Sequence, residues 1–213
     1  MHFEILVEGQ AELTALSILM PKIIGEYGNP HTWKIHKHRG IGRLPDNPMN
    51  APNVHDSTLL HQLPAKLRGY SKAQKENQMV IVLLDLDNND LQTFKTELDV
   101  LLQWCEPNFS PDFIFAIEEL EAWYLGDREA LVKFNEKIDI TVLDSYTQDS
   151  IVGTWELLAK ADEPSILAHR KRSAAILDKK KEWSKKIPPL MIVSENISNS
   201  FNTFVSRLQY HIS

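Results

Sequence analysis

The sequence predicts an α/β fold in which a mainly parallel central sheet is flanked by helices and followed by a helical C-terminal extension. Two short aliphatic runs, Phe3–Val7 and Val80–Leu84, are bounded by polar residues, a pattern typical of strands buried on both faces. A third run, Asp112–Ile117, repeats the pattern. Apolar residues at helical spacing between these runs indicate helices that pack one face on the sheet.

The first half of the chain is expected to alternate strands with helices. A helix over Ala11–Gly25 follows the first strand, and Pro21 either kinks it or begins a second short helix. A second strand over Thr32–His38 leads into a long stretch rich in glycine, proline and asparagine, a length typical of functional or mobile loops. A leucine-striped helix over Ser57–Lys75 comes next, with a break expected at Pro64.

The second half is expected to contain two more strands and then mostly helices. Asp90 is a good N-cap for the helix after the Met79–Leu84 strand. The remaining predicted elements are helices at Leu91–Trp104, Gly153–Ala161, Ser165–Lys186 and from Ser198 to about Gln209, with a short strand at Leu190–Val193.

Length and composition favour one compact unit, in which residues 1–127 form the core and residues 128–213 pack on it. The chain has 213 residues, 43% of them hydrophobic, and no apolar run reaches the roughly 18 residues that cross a bilayer. No basic region precedes the first apolar stretch, so no secretory signal is expected. With one cysteine, Cys105, no internal disulfide forms, and these features favour a cytoplasmic protein without membrane partners.

Charge is unevenly distributed along the chain. The net charge is -6, yet residues 161–213 carry nine Lys and Arg against five Asp and Glu. The basic clusters Arg170–Arg172, Lys179–Lys181 and Lys185–Lys186 either hold a polyanion or form the solvated face of a helix.

Carboxylates follow the first and third predicted strands. Glu8 comes after the first strand, and Asp85 and Asp87 follow the Val80–Leu84 run. Parallel strands deliver their carboxyl ends to one edge of a sheet, so the three side chains are expected to meet there, with Asp85 and Asp87 on one side of a continuing strand. Clustered carboxylates repel unless a cation lies between them, and hard oxygen ligands select Mg²⁺, or Mn²⁺ in its place. The alternative is a solvated turn.

The last predicted strand also ends in acid. Glu118 and Glu121 would share a helical face if Glu119 begins a helix, and we expect these two to supply a second group of metal ligands. The alternative is a charged first helical turn stabilised by the helix dipole.

Phosphate-binding residues are predicted at two turns. Gly9 allows a sharp turn into a helix whose N-terminus points toward the strand edge. Arg39 and Arg43 are separated by glycines that let guanidinium groups approach phosphate closely. Ordinary turns are the alternative in both places, and His36 and His38 either bind a metal or pack.

These motifs together resemble a known superfamily. Leu6-Val7-Glu8-Gly9 with Glu12, followed by Asp85-x-Asp87, resembles the Toprim domain, a Rossmann-like fold of topoisomerases, primases and the overcoming-lysogenization-defect nucleases. A closer likeness is to a bacterial Toprim-like family that is labelled a domain of unknown function. It is carried by the Glu8 and Asp85 segments together with Lys37–Arg43, Ala116–Trp123 and Ser150–Glu156.

The resemblance implies metal-dependent cleavage of DNA or RNA. If the carboxylates converge, Asp85 and Asp87 hold one metal ion, Glu8 acts as general acid or base or completes the coordination, and Glu118 and Glu121 recruit a second ion. The resemblance also implies a separately encoded ATPase as a partner and a role in defence against phage or mobile DNA. Two alternatives stay open: a non-catalytic sensor or effector that works with that ATPase, and a phosphatase for small substrates. The oligomeric state is open too, a homo-oligomer included.

Overall fold

Four parallel strands form the centre of the protein. The computed structural model describes residues 1–73, 76–170 and 173–213. The strands are β1 (His2–Val7), β2 (Thr32–Lys37), β3 (Gln78–Asp85) and β4 (Asp112–Ala116), in the spatial order β2-β1-β3-β4. All neighbouring pairs are parallel, so the carboxyl ends of β1 and β3 lie side by side at one edge. The expected α/β, Rossmann-like class is confirmed.

Helices cover both faces of this sheet. In the described residues they are α1 (Gln10–Ile24), α2 (Leu59–Lys72), α3 (Leu91–Cys105), α4 (Glu121–Leu125), α5 (Arg128–Phe134), α6 (Ile140–Asp144), α7 (Thr154–Asp162), α8 (Ala174–Lys186) and α9 (Asn199–Ile212), with 3₁₀ helices at Pro164–Ala168 and Val193–Glu195. None of the helices in the described ranges is long and apolar enough to cross a membrane.

The alternation of side chains along the strands divides the interior into two cores. Phe3 and Ile81 point into the larger core, which also contains residues of α1 and of the C-terminal helices, such as Trp183 and Phe201. Leu6 belongs to the smaller core, which is filled from α2 and α3. The C-terminal helices therefore share a hydrophobic core with the strands.

Several predicted element boundaries are wrong. The helix predicted over Ser165–Lys186 is a 3₁₀ helix followed by α8, and Lys171 and Arg172, part of the predicted basic cluster, lie outside the described residues. The end of the predicted Ser57–Lys75 helix also lies outside them. Pro21 and Pro64 sit inside α1 and α2, which continue through them.

The strand predicted at Leu190–Val193 is wrong as well. Leu190 and Met191 donate backbone hydrogen bonds to Ile187 and Pro188, which makes this stretch a turn. The carbonyl oxygens of Pro188, Pro189 and Met191 converge on Nζ of Lys22 in α1, at 3.1, 2.5 and 2.8 Å. A strand cannot direct consecutive carbonyls at one cation because its carbonyls alternate in direction.

Candidate active site

An acidic cavity of about 560 Å³ opens at the carboxyl edge of the sheet. Glu8, which follows β1, and Asp85, which ends β3, both line it, and so do Asp87 and Glu119. Lys180 of α8 also lines it. The structure thus brings together the three carboxylates that the strand ends led us to expect there.

Glu8 is fixed against the end of β3. Its Oε1 accepts a hydrogen bond of 2.9 Å from the backbone N–H of Asp85. Burial nevertheless raises the pKa of Glu8 to about 8, and the charges of Glu12, Asp87 and Glu119 add to the rise. A carboxyl group with a pKa near neutrality can both hold and release a proton under physiological conditions.

Asp85 has an oxygen with no partner. Its Oδ1 is buried and forms no hydrogen bond. Burial raises the pKa of Asp85 well above its ordinary value, with further contributions from Glu8 and Glu12. A buried polar atom without a partner costs roughly 1–3 kcal/mol, a cost that a cation bound at this oxygen would remove.

Glu12 joins the cluster, although we did not select it as a site residue from the sequence. It lies in the first turn of α1, is only 9% exposed, and its raised pKa reflects burial and the charge of Glu121. Gly9 makes room for it, since a Cβ at Gly9 would lie 3.1 Å from Oε2 of Glu12. The spacing Glu8-Gly9-x-x-Glu12 was the signal that could have identified it.

Lys180 is the second residue that sequence reasoning missed. Its Nζ lies 3.0 Å from Oε2 of Glu119 and 3.5 Å from Oε2 of Glu121, and 5.8 Å from the ring centre of Trp155. Burial opposes its charge, but the carboxylates of Glu121 and Glu119 prevail and raise the pKa of Lys180. The lysine therefore stays protonated and faces the cluster.

We expected Glu118 and Glu121 to share a helical face, and this prediction is wrong because α4 begins only at Glu121. Glu118 has a left-handed backbone, with φ of 62°. Its carboxylate accepts hydrogen bonds from the N–H groups of Val152, Gly153 and Thr154, at 3.1, 2.7 and 3.0 Å. These bonds satisfy free N–H groups at the start of α7, so Glu118 acts as a helix cap.

Glu119 lines the cavity where Glu118 was expected. Burial raises the pKa of Glu119 to about 7, and the charge of Glu121 contributes, while Lys180 opposes the rise. Glu121 itself is 2% exposed and lies against Lys180. Of the two predicted second-group ligands, only Glu121 is therefore in the acidic cluster.

Asp87 lines the cavity, but its backbone is not in the extended conformation that we predicted. β3 ends at Asp85, and Asp87 is left-handed, with φ of 47°. Its N–H donates a hydrogen bond of 2.7 Å to the carbonyl of Glu118. The strand does not continue, so alternation along it is not what brings Asp87 to the same cavity as Asp85.

The residues predicted to contact phosphate, Gly9, Arg39 and Arg43, do not lie together in the structure. Gly9 is the N-cap of α1 at the cavity edge. Arg39 lines a neighbouring cleft, and Arg43 lines two smaller depressions but not the acidic cavity. His36 pairs with Glu4 at 2.5 Å, and His38 Nδ1 bonds to the carbonyl of Val7 at 2.7 Å.

The donor chemistry of the cavity fits a hard divalent cation. Carboxylate oxygens are the ligands that Mg²⁺ and Mn²⁺ prefer, and Oδ1 of Asp85 has no other partner. Within residues 1–73, 76–170 and 173–213, no three His, Cys, Asp or Glu side chains are already arranged as metal ligands. Binding would therefore require the carboxylates to draw together.

Fold and site together define an α/β protein with an acidic cavity at the carboxyl edge of a parallel sheet. Residues 7–209 match the family described as Domain of unknown function (DUF4276). The match covers nearly the whole chain, and the protein belongs to this family. No curated protein and no solved structure is significantly similar to it.

Proposed function

We propose that the acidic cavity is the active site of a metal-dependent phosphodiesterase that cleaves nucleic acid, DNA or RNA. The observation that carries the proposal is the buried, unpartnered Oδ1 of Asp85 among carboxylates with raised pKa values. Structural ion pairs rarely leave such an atom unsatisfied, whereas catalytic sites concentrate perturbed carboxyl groups in clefts.

Asp85, Asp87 and Glu119 are the residues that would hold Mg²⁺ or Mn²⁺. Bound there, the ion would supply charge stabilisation for the phosphoryl group and lower the pKa of water. Glu12 and Glu121 lie behind this set and add negative charge to it.

Glu8 is the residue suited to proton transfer. Its pKa of about 8 leaves a fraction of Glu8 ionised near neutral pH, and this form can accept the proton of the attacking water while the new P–O bond forms. The proton then passes to the leaving oxygen as its bond to phosphorus breaks. The Asp85 N–H keeps Oε1 of Glu8 in place during this exchange.

Lys180 is placed to contact the substrate. Its ammonium group lines the cavity and carries a full charge, so it can donate to the phosphate oxygens on which charge develops. In the absence of substrate the same group compensates Glu119 and Glu121.

Cleavage of labelled single- and double-stranded DNA and RNA with Mg²⁺ or Mn²⁺ tests the proposal. We expect the wild type to cut at least one polymer, and Asp85→Asn and EDTA each to abolish cutting. Asp99→Asn, an exposed aspartate of α3, is the matched control and should cut normally.

Calorimetry with Mg²⁺ separates the remaining outcomes. Metal binding that Asp85→Asn lacks, without cleavage of any polymer, would refute the nuclease and favour the non-catalytic module that works with an ATPase. Cleavage that persists in Asp85→Asn would place the chemistry elsewhere. Hydrolysis of small phosphate esters alone would favour the phosphatase.

A further inference from the structure

A second and larger depression lies beside the acidic cavity and has the opposite charge. This cationic cleft has a volume of about 960 Å³ and lies along the outer strand β2 and the start of α2. Its charged or titratable lining residues are His36, Lys37, His38, Arg39, His55 and Lys66, and no Asp or Glu lines it in the described part of the chain. In a protein of net charge -6, such a lining is a local exception.

Two cations of the cleft form no direct ion pair with the described residues. In the described residues neither Arg39 nor Lys66 is within ion-pair distance of a carboxylate. Lys66 is partly buried, and this burial, with the neighbouring charge of Lys34, lowers its pKa, while the charge of Glu4 opposes the effect. A partly buried ammonium without a partner is costly, and an anion in the cleft would remove that cost.

The basic helix α8 provides a contrast. Lys179, Lys181 and Lys186 form ion pairs with Asp162, Asp178 and Glu182 respectively, and Lys180 pairs with the acidic cluster. Most of the lysines of α8 are thus already neutralised by the protein itself. Among the described lysines of α8, only Lys185 forms no ion pair, so this helix offers a polyanion less uncompensated charge than its sequence suggested.

The cationic cleft and the acidic cavity share a wall. Arg39 lines the cleft, and the next two residues, Gly40 and Ile41, line the cavity. The Gly40 N–H donates to the carbonyl of Glu8 at 2.9 Å, which joins this wall to the catalytic edge. A Cβ at Gly40 would meet no atom within 4 Å, so the rim here is bare backbone with open space beside it.

We propose that the cationic cleft binds the sugar-phosphate backbone of a polynucleotide whose next phosphate passes Gly40 into the acidic cavity, with Arg39 and Lys66 neutralising phosphates. The inference rests on the proposed function for the identity of its ligand. A single small ligand fills roughly 300–1,000 Å³. Each of the two spaces, of 960 and 560 Å³, could hold one such ligand, but a ligand that occupies both at once must be longer, as a nucleic-acid strand is.

Binding can be measured without cleavage, which keeps the two proposals distinguishable. The experiment uses Asp85→Asn protein in EDTA and the fluorescence anisotropy of labelled oligonucleotides of DNA and RNA. The test variant adds Arg39→Gln and Lys66→Met, and Met keeps the apolar stem of the lysine. The control adds Lys95→Met and Lys185→Met, which remove two exposed charges outside the cleft.

Salt dependence gives the expected size of the effect. Each phosphate contact contributes roughly 0.7–0.9 to the slope of log K against log salt, so the test variant should lower the slope by about 1.4–1.8 and the affinity by about 25- to 60-fold at 0.1 M salt. The control should retain the slope, and thermal unfolding should show both variants folded.

Three results would overturn the inference. One is equal affinity of the test and control variants, whether or not the wild type cleaves nucleic acid. Another is binding of a nucleoside monophosphate as tight as binding of the oligonucleotide, which would make the cleft a small-phosphate site. The last is undetectable binding of any polymer by the Asp85→Asn protein at low salt.

Discussion

Glu8→Gln should stabilise the metal-free protein at neutral and alkaline pH. The Glu8 carboxyl keeps its proton in the folded state up to a pKa of about 8, whereas in the unfolded chain it loses it near 4.5. Between these values folding takes up a proton, so stability is full below pH 4.5 and is lost as the pH rises toward 8. Glutamine carries no proton to lose, and its Oε1 can still accept the Asp85 N–H bond.

The magnitude follows from the shift in pKa. Each pKa unit corresponds to about 1.4 kcal/mol, and pH 7 lies two and a half units above the ordinary value of 4.5. The free energy of unfolding of the wild type is therefore lowered by about 3 kcal/mol at pH 7, and by under about 1 kcal/mol at pH 5. The Glu8→Gln variant should gain that difference.

Urea unfolding of both proteins in EDTA, from about pH 5 to pH 8, measures this gain. Glu97→Gln, an exposed glutamate of α3, is the matched control and should follow the wild type. Added Mg²⁺ should restore stability to the wild type more than to Glu8→Gln, because the charge of an ionised Glu8 in the same cavity attracts the ion and glutamine has no such charge. Parallel pH profiles for the wild type and Glu8→Gln would refute the reasoning.

Three further predictions concern residues around the cavity. Glu118→Ala should lower the free energy of unfolding, measured in urea, by about 3 kcal/mol, because three hydrogen bonds to N–H groups at the start of α7 are lost. The Mg²⁺ affinity measured by calorimetry should not change. Unchanged stability with a loss of Mg²⁺ affinity would instead make Glu118 a metal ligand. Lys180→Met should destabilise the metal-free protein by about 3 kcal/mol, because Glu119 and Glu121 lose their counter-charge. Adding Mg²⁺ should then raise the Tm of this variant more than that of the wild type. An equal rise in Tm for the two proteins would contradict the prediction. Gly9→Ala should weaken Mg²⁺ binding about tenfold in calorimetry, because the added methyl group displaces Glu12. The control Gly69→Ala, which adds a methyl group in open space on α2, should bind Mg²⁺ like the wild type. Equal affinities of Gly9→Ala and the wild type would show that Glu12 is not needed for binding.

The sheet and half of the site follow from local sequence. β1 and β3 are aliphatic enough to be buried on both faces, and parallel strands must end at the same edge. Glu8 and Asp85 needed only this rule to be placed together. Gly9 likewise followed from a strand that turns directly into a helix.

The other half depends on contacts that no local pattern encodes. Lys180 reaches the cluster because α8 packs against α1, and its sequence neighbours Lys179 and Lys181 differ from it only in helical phase. Glu119, and not the expected Glu118, lines the cavity because the left-handed backbone of Glu118 redirects the chain. Backbone reversals of this kind in non-glycine residues are rare, so composition favours neither glutamate.

The position of Lys180 in the chain has a consequence for biosynthesis. The ribosome completes the four strands with Ala116 and reaches Lys180 only 64 residues later. At about 5–20 residues per second, this interval lasts roughly 3–13 s. If the sheet forms in this interval, Glu8, Asp85 and Glu119 come together before Lys180 is there to compensate their charge. Protons and divalent cations can supply that counter-charge, so we expect the early folding of this chain to be sensitive to both.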